Sequence, residues 1–352
     1  MRAALAMIGQ RLARWARKLL AHLEMTRPYT LFHSGLLAVA GAVVASGGHV
    51  SPWRAGLAAV VTICGWEAGL YAGDYYDRKL DAISKPSRPI PSGRVSPREA
   101  FMTMVALIAV GYLASLALGW ANLALAMLTT ALGIAYSKTF KSHALLGNFD
   151  RGVLGVCAVA FGALAAGWGP LPPLLALAAL VFFHDSATNL VGAIRDVDGD
   201  RAAGYATVPV LYGVGRSSRI AAGFAALSAL SGVGLFALLR PGALAVALFA
   251  LALALDARIY GALLLRGDAL QRPEALSAHK WLVGERLTLV CAVIAVGAPA
   301  LVTLALLGAT LAATYAAQAL LRDRYEQPAI LPPPPTQTVS GLSQASPSRQ
   351  GS

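Results

Sequence analysis

Long apolar stretches dominate this chain, and its polar residues gather in the segments between them. A bilayer-spanning helix needs about 20 consecutive apolar residues, and each stretch is long enough to supply one. The pattern therefore predicts an all-α polytopic membrane protein with about nine transmembrane helices. The predicted helices run over roughly 29–47, 54–81, 98–118, 120–137, 151–168, 172 into the acidic cluster at 189–201, 217–238, 242–264 and 287–320.

The last of these runs is longer than a single untilted span requires. Gly297 and Pro299 lie near its middle, so the run could form one long kinked helix or two short ones. We favour one helix, and hence nine helices rather than ten.

Composition agrees with a membrane protein. Hydrophobic residues make up 57% of the chain and charged residues 13%, whereas soluble globular chains carry about 25% charged residues. The net charge is +12, and most Lys and Arg residues lie at the N-terminus and in the loops after the second, fourth, sixth and eighth predicted helices. Because basic loops face the cytoplasm, we predict a cytoplasmic N-terminus and expect membrane lipid, not nucleic acid, as the partner of this charge.

The two ends of the chain differ from the apolar region between them. Residues 1–25 interleave Arg and Lys with apolar positions, which predicts a basic amphipathic helix on the membrane surface. Residues 326–352 are rich in Pro, Ser and Gln, which predicts disorder. The transmembrane domain is expected over 26–325.

A stripe of carboxylates closes the second predicted helix. Asp74, Asp77 and Asp81 are spaced i, i+3 and i+7, which places them on one face of a helix, and Glu67 lies seven residues before Asp74. Two interpretations of Glu67 stay open: a base or hydrogen-bond partner for a substrate, or a buried structural partner of a neighbouring helix. A basic, proline-containing loop follows the stripe.

The sixth predicted helix repeats this plan four helices later. Asp196 and Asp200 are spaced i and i+4, and Asn189 and Asp185 fall on the same helical face. Asp185 and the adjacent His184 have the same two interpretations as Glu67. The repetition predicts two four-helix units plus a last helix, with the two polar clusters facing each other.

Facing carboxylates at the mouth of an apolar bundle predict a bound cation. Mg²⁺ prefers carboxylates together with phosphate oxygens of a substrate, so the pattern favours a diphosphate bridged by Mg²⁺. Nearby basic side chains could neutralise a leaving diphosphate, and a dry interior would protect an allylic carbocation from water. These basic residues are Arg27, Lys85, Arg88, Lys138, Lys141, Arg195 and Arg201.

The first cluster resembles a motif of the UbiA superfamily of intramembrane prenyltransferases. The family motif reads Asn-Asp-x-x-Asp-x-x-x-Asp, followed by Arg-Pro-Ile-Pro-Ser-Gly, and it is similar to residues 73–81 and 88–93. One position departs from it, because Gly73 stands where the family has its leading Asn. Glycine supplies no side-chain ligand, so we expect the first metal site to be weaker or differently built.

Two further elements extend the resemblance over roughly 20–320. Asp196 and Asp200 match the second family motif, Asp-x-x-x-Asp. Tyr136 and Lys141 are similar to a Tyr/Lys element of the family, with one additional residue between them.

The resemblance implies transfer of a prenyl group from a polyprenyl diphosphate to a small, usually aromatic acceptor, in a central cavity that opens to lipid, with Mg²⁺ as cofactor. The implied Mg²⁺ ligands are Asp74, Asp77, Asp81, Asp196 and Asp200. The implied diphosphate contacts are Arg88, Lys141 and Tyr136, and Arg27, Arg195 and Asn189 are added as binding candidates. Asp77, Asp81, Lys141 and Tyr136 are the catalytic candidates.

Other functions stay open at this point. A terpene cyclase, or a prenyltransferase with a non-aromatic acceptor, would use the same motifs. Release of diphosphate without any acceptor would identify the cyclase. A cation-coupled transporter would also place acids in a helical bundle, although near the bilayer midplane rather than at helix ends. The sequence does not choose among acceptors, and both a hydroxybenzoate and a glycerophosphate fit the resemblance.

Overall fold

The computed structural model describes the backbone of residues 2–322 and, apart from 2–9, 14 and 84, their side chains. The tail predicted to be disordered, 326–352, lies outside this range. The described part contains thirteen α-helices: α1 Arg2–Thr26, α2 Phe32–Ser46, α3 Pro52–Ser84, α4 Pro97–Leu118, α5 Trp120–Lys138, α6 Leu146–Ala165, α7 Leu171–Arg195, α8 Val197–Ala202, α9 Val208–Tyr212, α10 Val214–Leu239, α11 Ala243–Arg266, α12 Arg272–Ile294 and α13 Ala300–Ala317. It also contains two short parallel strands, β1 His143–Ala144 and β2 Ala206–Thr207.

The helices confirm the predicted all-α polytopic membrane fold. Within residues 2–322, eight helices are long and apolar enough to cross a membrane, and a ninth span results if α1 and α2 together form one span bent by 44°. The eight are α3, α4, α5, α6, α7, α10, α11 and α13. The first predicted unit corresponds to α2–α5 and the second to α6, α7, α10 and α11, so that α3 and α7 are the second helices of their units.

The expectation of one kinked helix over 287–320 was wrong. The structure ends α12 at Ile294 and starts α13 at Ala300, with Pro299 as the residue that precedes α13. The break packs against the turn after α2, where a Cβ on Gly48 would lie 2.8 Å from the carbonyl oxygen of Gly297. This close approach of two backbones requires glycine at both positions.

The start of α12 also differs from the sequence pattern, because it lies inside a stretch that reads as a polar loop. Gln271 and Glu274 form a reciprocal capping box, and a proline occupies the first turn. These local signals begin a helix in spite of the charged residues. Consequently α12 carries Glu285 and Arg286 into the bundle, where both are buried.

The sixth predicted helix was expected to run through Asp200, and it does not. Helix α7 ends at Arg195, because Asp196 adopts φ −98° and ψ 8° and the chain turns into the short helix α8. The amide of Asp200 still donates to the carbonyl of Asp196 at 2.9 Å. The i, i+4 relation of the two aspartates therefore survives the turn.

The buried centre of the bundle lies where α2, α6, α7 and α12 meet. By contrast, α4 and α5 bury only a small part of their surface and expose large apolar side chains. Exposed apolar surface on a spanning helix is the surface that faces lipid. The two units leave a cavity between them, and both carboxylate clusters reach it.

Candidate active site

The cavity between the two units has a volume of about 720 Å³. Ten of the eleven residues selected from the sequence line it. They are Arg27, Asp77, Asp81, Arg88, Tyr136, Lys141, Asn189, Arg195, Asp196 and Asp200. Lys85 also lines it, whereas Lys138 and Arg201 do not; Arg201 instead pairs with the exposed Asp198.

The first carboxylate cluster is bound by basic side chains from two loops. Lys141, after α5, forms an ion pair with Asp77 Oδ1, and the hydroxyl of Tyr205 donates to the same oxygen at 3.4 Å. Arg88, in the loop after α3, donates to Asp81 Oδ2 at 2.7 Å. The carboxylates and the cations predicted to act on one diphosphate are therefore direct neighbours.

Asp74 is the selected residue that lies outside the cavity wall. It is buried, and its Oδ1 accepts a hydrogen bond from Arg27 at 2.6 Å and lies 3.8 Å from Arg88. Asp74 thus fixes two arginines that do line the cavity. Glu67 is also buried and also lies outside the cavity wall, so the structure does not favour its interpretation as a substrate contact.

Neighbouring cations act on both aspartates of the second carboxylate cluster, but they outweigh the effect of burial on the pKa only at Asp196. Burial alone would raise the pKa of Asp196, but Arg195 and Lys85 hold that pKa well below its usual range. For Asp200, burial and the neighbouring charge of Asp196 raise the pKa to about 7, even though Thr207 donates to its carboxylate at 3.1 Å. A carboxylate with a raised pKa beside another carboxylate is one that a bound cation would stabilise.

The loop after α5 and the loop after α8 are joined by a short parallel β-ladder close to the two carboxylate clusters. The parallel strands pair His143 with Ala206 and Ala144 with Thr207. This pairing links the loop that carries Lys141 to the loop that carries Tyr205 and Thr207. Burial and the charge of Asp77 raise the pKa of Tyr205, so its hydroxyl remains a hydrogen-bond donor at neutral pH. Sequence reasoning missed Tyr205, whose only signal was its place just after the second motif.

The two units are also connected by a chain of hydrogen bonds at the cavity wall. Asn148 donates to Asn189 Oδ1 at 2.9 Å, and Asn189 donates to the hydroxyl of Tyr136 at 3.2 Å. Asn189 and Tyr136 are therefore held in place by each other, with Tyr136 from α5 and Asn189 from α7.

Three arginines that sequence reasoning did not select line the cavity: Arg272, at the start of α12, and the pair Arg151 and Arg286. Arg151 lies over the rings of Trp66, at 4.3 Å, and Tyr136, at 5.7 Å. Arg286, on α12, is 5% exposed. Among the described residues neither forms an ion pair within 4 Å, although Asp185 lies in the electrostatic neighbourhood of Arg286. The sequence signal that could have identified Arg286 is the capping box of Gln271 and Glu274, which predicts a helix through the polar stretch.

The donor set fits Mg²⁺. Asp77, Asp81, Asp196 and Asp200 offer carboxylate oxygens to one cavity, and hard oxygen ligands are those that Mg²⁺ prefers. Gly73 also lines this cavity, and a Cβ placed on it would meet no atom within 4 Å. The position where the family has Asn is thus open space beside the carboxylates.

Comparisons with known proteins agree with this arrangement. The model of the UbiA prenyltransferase family matches residues 34–282. A digeranylgeranylglyceryl phosphate synthase from Natronomonas pharaonis is 38% identical over 198 residues, which are 56% of this chain and 71% of that protein. The enzyme of the same name from Methanopyrus kandleri is 36% identical over 201 residues, which are 57% of this chain and 73% of that protein.

A solved structure shares the fold. It is a UbiA homologue from Archaeoglobus fulgidus bound to GPP and Mg²⁺, 17% identical to this chain, with a TM-score of 0.62 over 85% of this chain and all of that one. Mg²⁺ is the cofactor of UbiA prenyltransferases, and a prenyl diphosphate is their substrate. With its family model matched over most of the transmembrane region, this chain belongs to the UbiA prenyltransferase family and is an integral-membrane prenyltransferase.

Proposed function

We propose that this enzyme transfers a prenyl group to the hydroxyl of a glycerophosphate lipid precursor, with the diphosphate held between the two carboxylate clusters. The observation that carries the acceptor is the pair Arg151 and Arg286, which line the cavity and, among the described residues, form no ion pair within 4 Å. A phosphate monoester carries up to two negative charges and is matched by two cations, whereas an aromatic acceptor such as 4-hydroxybenzoate carries only one.

In this proposal Asp77, Asp81, Asp196 and Asp200 hold Mg²⁺, and Asp74 positions Arg27 and Arg88. Bound Mg²⁺ would stabilise the negative charge that develops on the leaving diphosphate. Lys141 and Arg88 now pair with Asp77 and Asp81, so they lie within reach of a diphosphate that enters between the aspartates. Fixed cations stabilise the developing charge without reorganising.

The apolar part of the cavity wall serves the step in which the prenyl group is transferred to the acceptor. Apolar side chains such as Leu107, Ile108 and Phe161 line it and would exclude water from an allylic cation. The carbon–oxygen bond to the diphosphate breaks, and its electron pair leaves with the diphosphate. A new bond forms between the same carbon and the hydroxyl oxygen of the acceptor, whose proton passes to the departing diphosphate. Tyr136 and Trp66 present aromatic rings to this space.

The names of the relatives support the acceptor. Both relatives described above are digeranylgeranylglyceryl phosphate synthases, so the product in their name is a glyceryl phosphate with two prenyl chains. This departs from the aromatic acceptor that the resemblance alone suggested.

The metal and diphosphate roles are tested by converting Asp77 to Asn. We expect transfer to fall by roughly a hundredfold or more, because the variant loses a carboxylate ligand and leaves Lys141 without its counter-charge. Product formation is measured with purified enzyme, and Glu274→Gln, a carboxylate-to-amide change at an exposed ion pair with Arg266, is the matched control. Wild-type activity in Asp77→Asn would contradict the assigned role.

The acceptor is tested with geranylgeranyl diphosphate and two alternative acceptors, geranylgeranylglyceryl phosphate and 4-hydroxybenzoate, with products identified by mass spectrometry. We expect product from the glycerophosphate only. Arg286→Gln should raise the KM for that acceptor roughly tenfold, the equivalent of about 1.4 kcal/mol, and leave the KM for the diphosphate within about twofold. Arg266→Gln, on the exposed end of α11, is the arginine control. Transfer to 4-hydroxybenzoate at an equal rate would overturn the proposed acceptor.

A further inference from the structure

Three helices bring ligand-forming side chains together outside the cavity. His184 of α7, Asp256 of α11 and Glu285 of α12 each offer an atom, and these atoms all lie within 4.8 Å of one another. The three side chains are 2%, 9% and 1% exposed. His184 Nε2 and Glu285 Oε2 are 2.8 Å apart. The cluster is therefore closed to solvent and is built from three separate elements.

The cluster contains carboxylate oxygens that have no partner among the described residues. Asp256 Oδ1 and Glu285 Oε1 are both buried and accept no hydrogen bond. A buried carboxylate without a partner is strongly unfavourable. One imidazole faces two carboxylates here, so a divalent cation would satisfy the open oxygen positions and balance the charge.

None of the three residues lines the cavity, but a chain neighbour of two of them does. Asp185 follows His184, Arg286 follows Glu285, and both neighbours belong to the cavity wall. Asp185 Oδ1 is further held by His33 Nε2 at 2.9 Å. Whatever fixes His184 and Glu285 therefore also fixes the position of two charged groups that face the substrate.

We propose that His184, Asp256 and Glu285 bind a divalent cation of the Zn²⁺ class, distinct from Mg²⁺ at the aspartate clusters. One imidazole nitrogen with two carboxylates is a donor set that suits Zn²⁺, whereas Mg²⁺ prefers oxygen ligands alone. The ion would fasten α7, α11 and α12 to one another behind the cavity. Its role is structural, and it does not depend on the identity of the acceptor.

The test measures metal content of the untagged, full-length protein in detergent. Protein is incubated with Zn²⁺, dialysed against buffer that contains excess Mg²⁺ to occupy the aspartate clusters, and analysed by mass spectrometry for metals. Wild type and Asp77→Asn should both retain about one Zn²⁺ per chain. Asp256→Asn and Glu285→Gln, which keep the side-chain shape, should each lower Zn²⁺ affinity by roughly tenfold or more.

Co²⁺ provides a second measurement that does not depend on the variants. Bound in place of Zn²⁺ in Asp77→Asn, it should give visible absorption bands of a four- or five-coordinate site, and added Zn²⁺ should abolish them. Zn²⁺ should also raise the thermal unfolding temperature of wild type and not that of Asp256→Asn. The proposal is overturned if wild type retains no Zn²⁺ and Asp77→Asn gives no Co²⁺ bands. It is equally overturned if Asp256→Asn and Glu285→Gln, eluting as wild type does, retain the wild-type amount of Zn²⁺.

Discussion

Adjacent residues of α3 face different partners. Gly73, Asp77 and Asp81, at every fourth position, line the cavity, whereas Glu67 and Asp74, seven positions apart, are buried outside it. Seven residues return to nearly the same helical face, and four residues drift by about 40°. The spacing predicts that all these carboxylates share one helical face. The rotation of α3 instead places Asp77 and Asp81 in the cavity wall and buries Glu67 and Asp74 outside it.

Gly73→Asn is expected to strengthen the first metal site. A Cβ at this position meets no atom within 4 Å, so the side chain fits, and its amide oxygen would supply the ligand that the family motif contains. The Mg²⁺ concentration for half-maximal activity should fall roughly threefold or more, the equivalent of about 0.7 kcal/mol. A Mg²⁺ titration of initial rates measures this.

Gly69→Asn is the matched control for Gly73→Asn. Gly69 also lines the cavity on α3, and a Cβ there would likewise meet no atom within 4 Å, but it lies one helical turn further from the aspartates. It should not improve the response to Mg²⁺. An unchanged titration in folded Gly73→Asn would contradict a ligand role at this position.

Helices α2 and α6 approach each other closely at glycines. An ideal Cβ on Gly162 would overlap the carbonyl oxygen of Ala38, and one on Gly41 would overlap that of Val159. Small residues allow such close contact between spanning helices, where dispersion and not the hydrophobic effect holds helices together. This pair of helices connects the two four-helix units.

Gly162→Ala should destabilise the protein by about 1–3 kcal/mol, because the new methyl group forces α2 and α6 apart. The measurement is thermal unfolding in detergent, followed by the loss of monodisperse protein. Gly223→Ala, on α10, is the control, since a Cβ there has no neighbour within 4 Å. Equal unfolding temperatures for the two variants would show that α2 and α6 accommodate the methyl group without loss of stability, and would contradict the prediction.

We propose that α1 lies in the interface between membrane and water. Its exposed apolar residues Leu12, Trp15, Leu19 and Leu23 recur every three or four positions, which forms one apolar face, and Lys18 pairs with Glu99 at the start of α4. A polarity-sensitive dye on Leu19→Cys in vesicles should emit at a shorter wavelength than the same dye on Arg17→Cys. Identical emission from both positions would contradict an interfacial helix.

In the helical bundle as a whole, basic side chains and the two carboxylate clusters lie at the same end of the cavity. Lys85, Arg88, Lys141 and Arg195 line the cavity near the two clusters, at helix ends and in the loops that follow them. Basic loops are retained in the cytoplasm. We therefore propose that the N-terminus and the mouth of the cavity are cytoplasmic.

The orientation is measured with single cysteines in a variant whose native Cys64, Cys157 and Cys291 are replaced by Ala. A membrane-impermeant maleimide should label exposed Ala243→Cys, at the start of α11, in intact cells. It should label exposed Ser87→Cys, in the loop after α3, only after permeabilisation. The reverse pattern would place the mouth of the cavity on the outer side.

Local patterns along the chain were enough to predict the class of protein and the chemistry of the site. Segments with so few charges have no stable place except a membrane, and hydropathy is a local property that needs no knowledge of neighbours. The spacing within 73–81, and between Asp196 and Asp200, is local in the same way. Ten of the eleven selected residues accordingly line the cavity.

Contacts between charged groups that are far apart in the sequence were decided by the tertiary structure. The pair Lys141 and Asp77 joins positions 64 residues apart, and the cluster of His184 and Glu285 joins positions 101 residues apart. Asp74 lies outside the cavity wall and contacts Arg27, whereas Arg286 lines the cavity. Both differ from the prediction because each helix is rotated so that its best-packing face is buried. That rotation depends on long-range packing among all the helices, and no local pattern contains it.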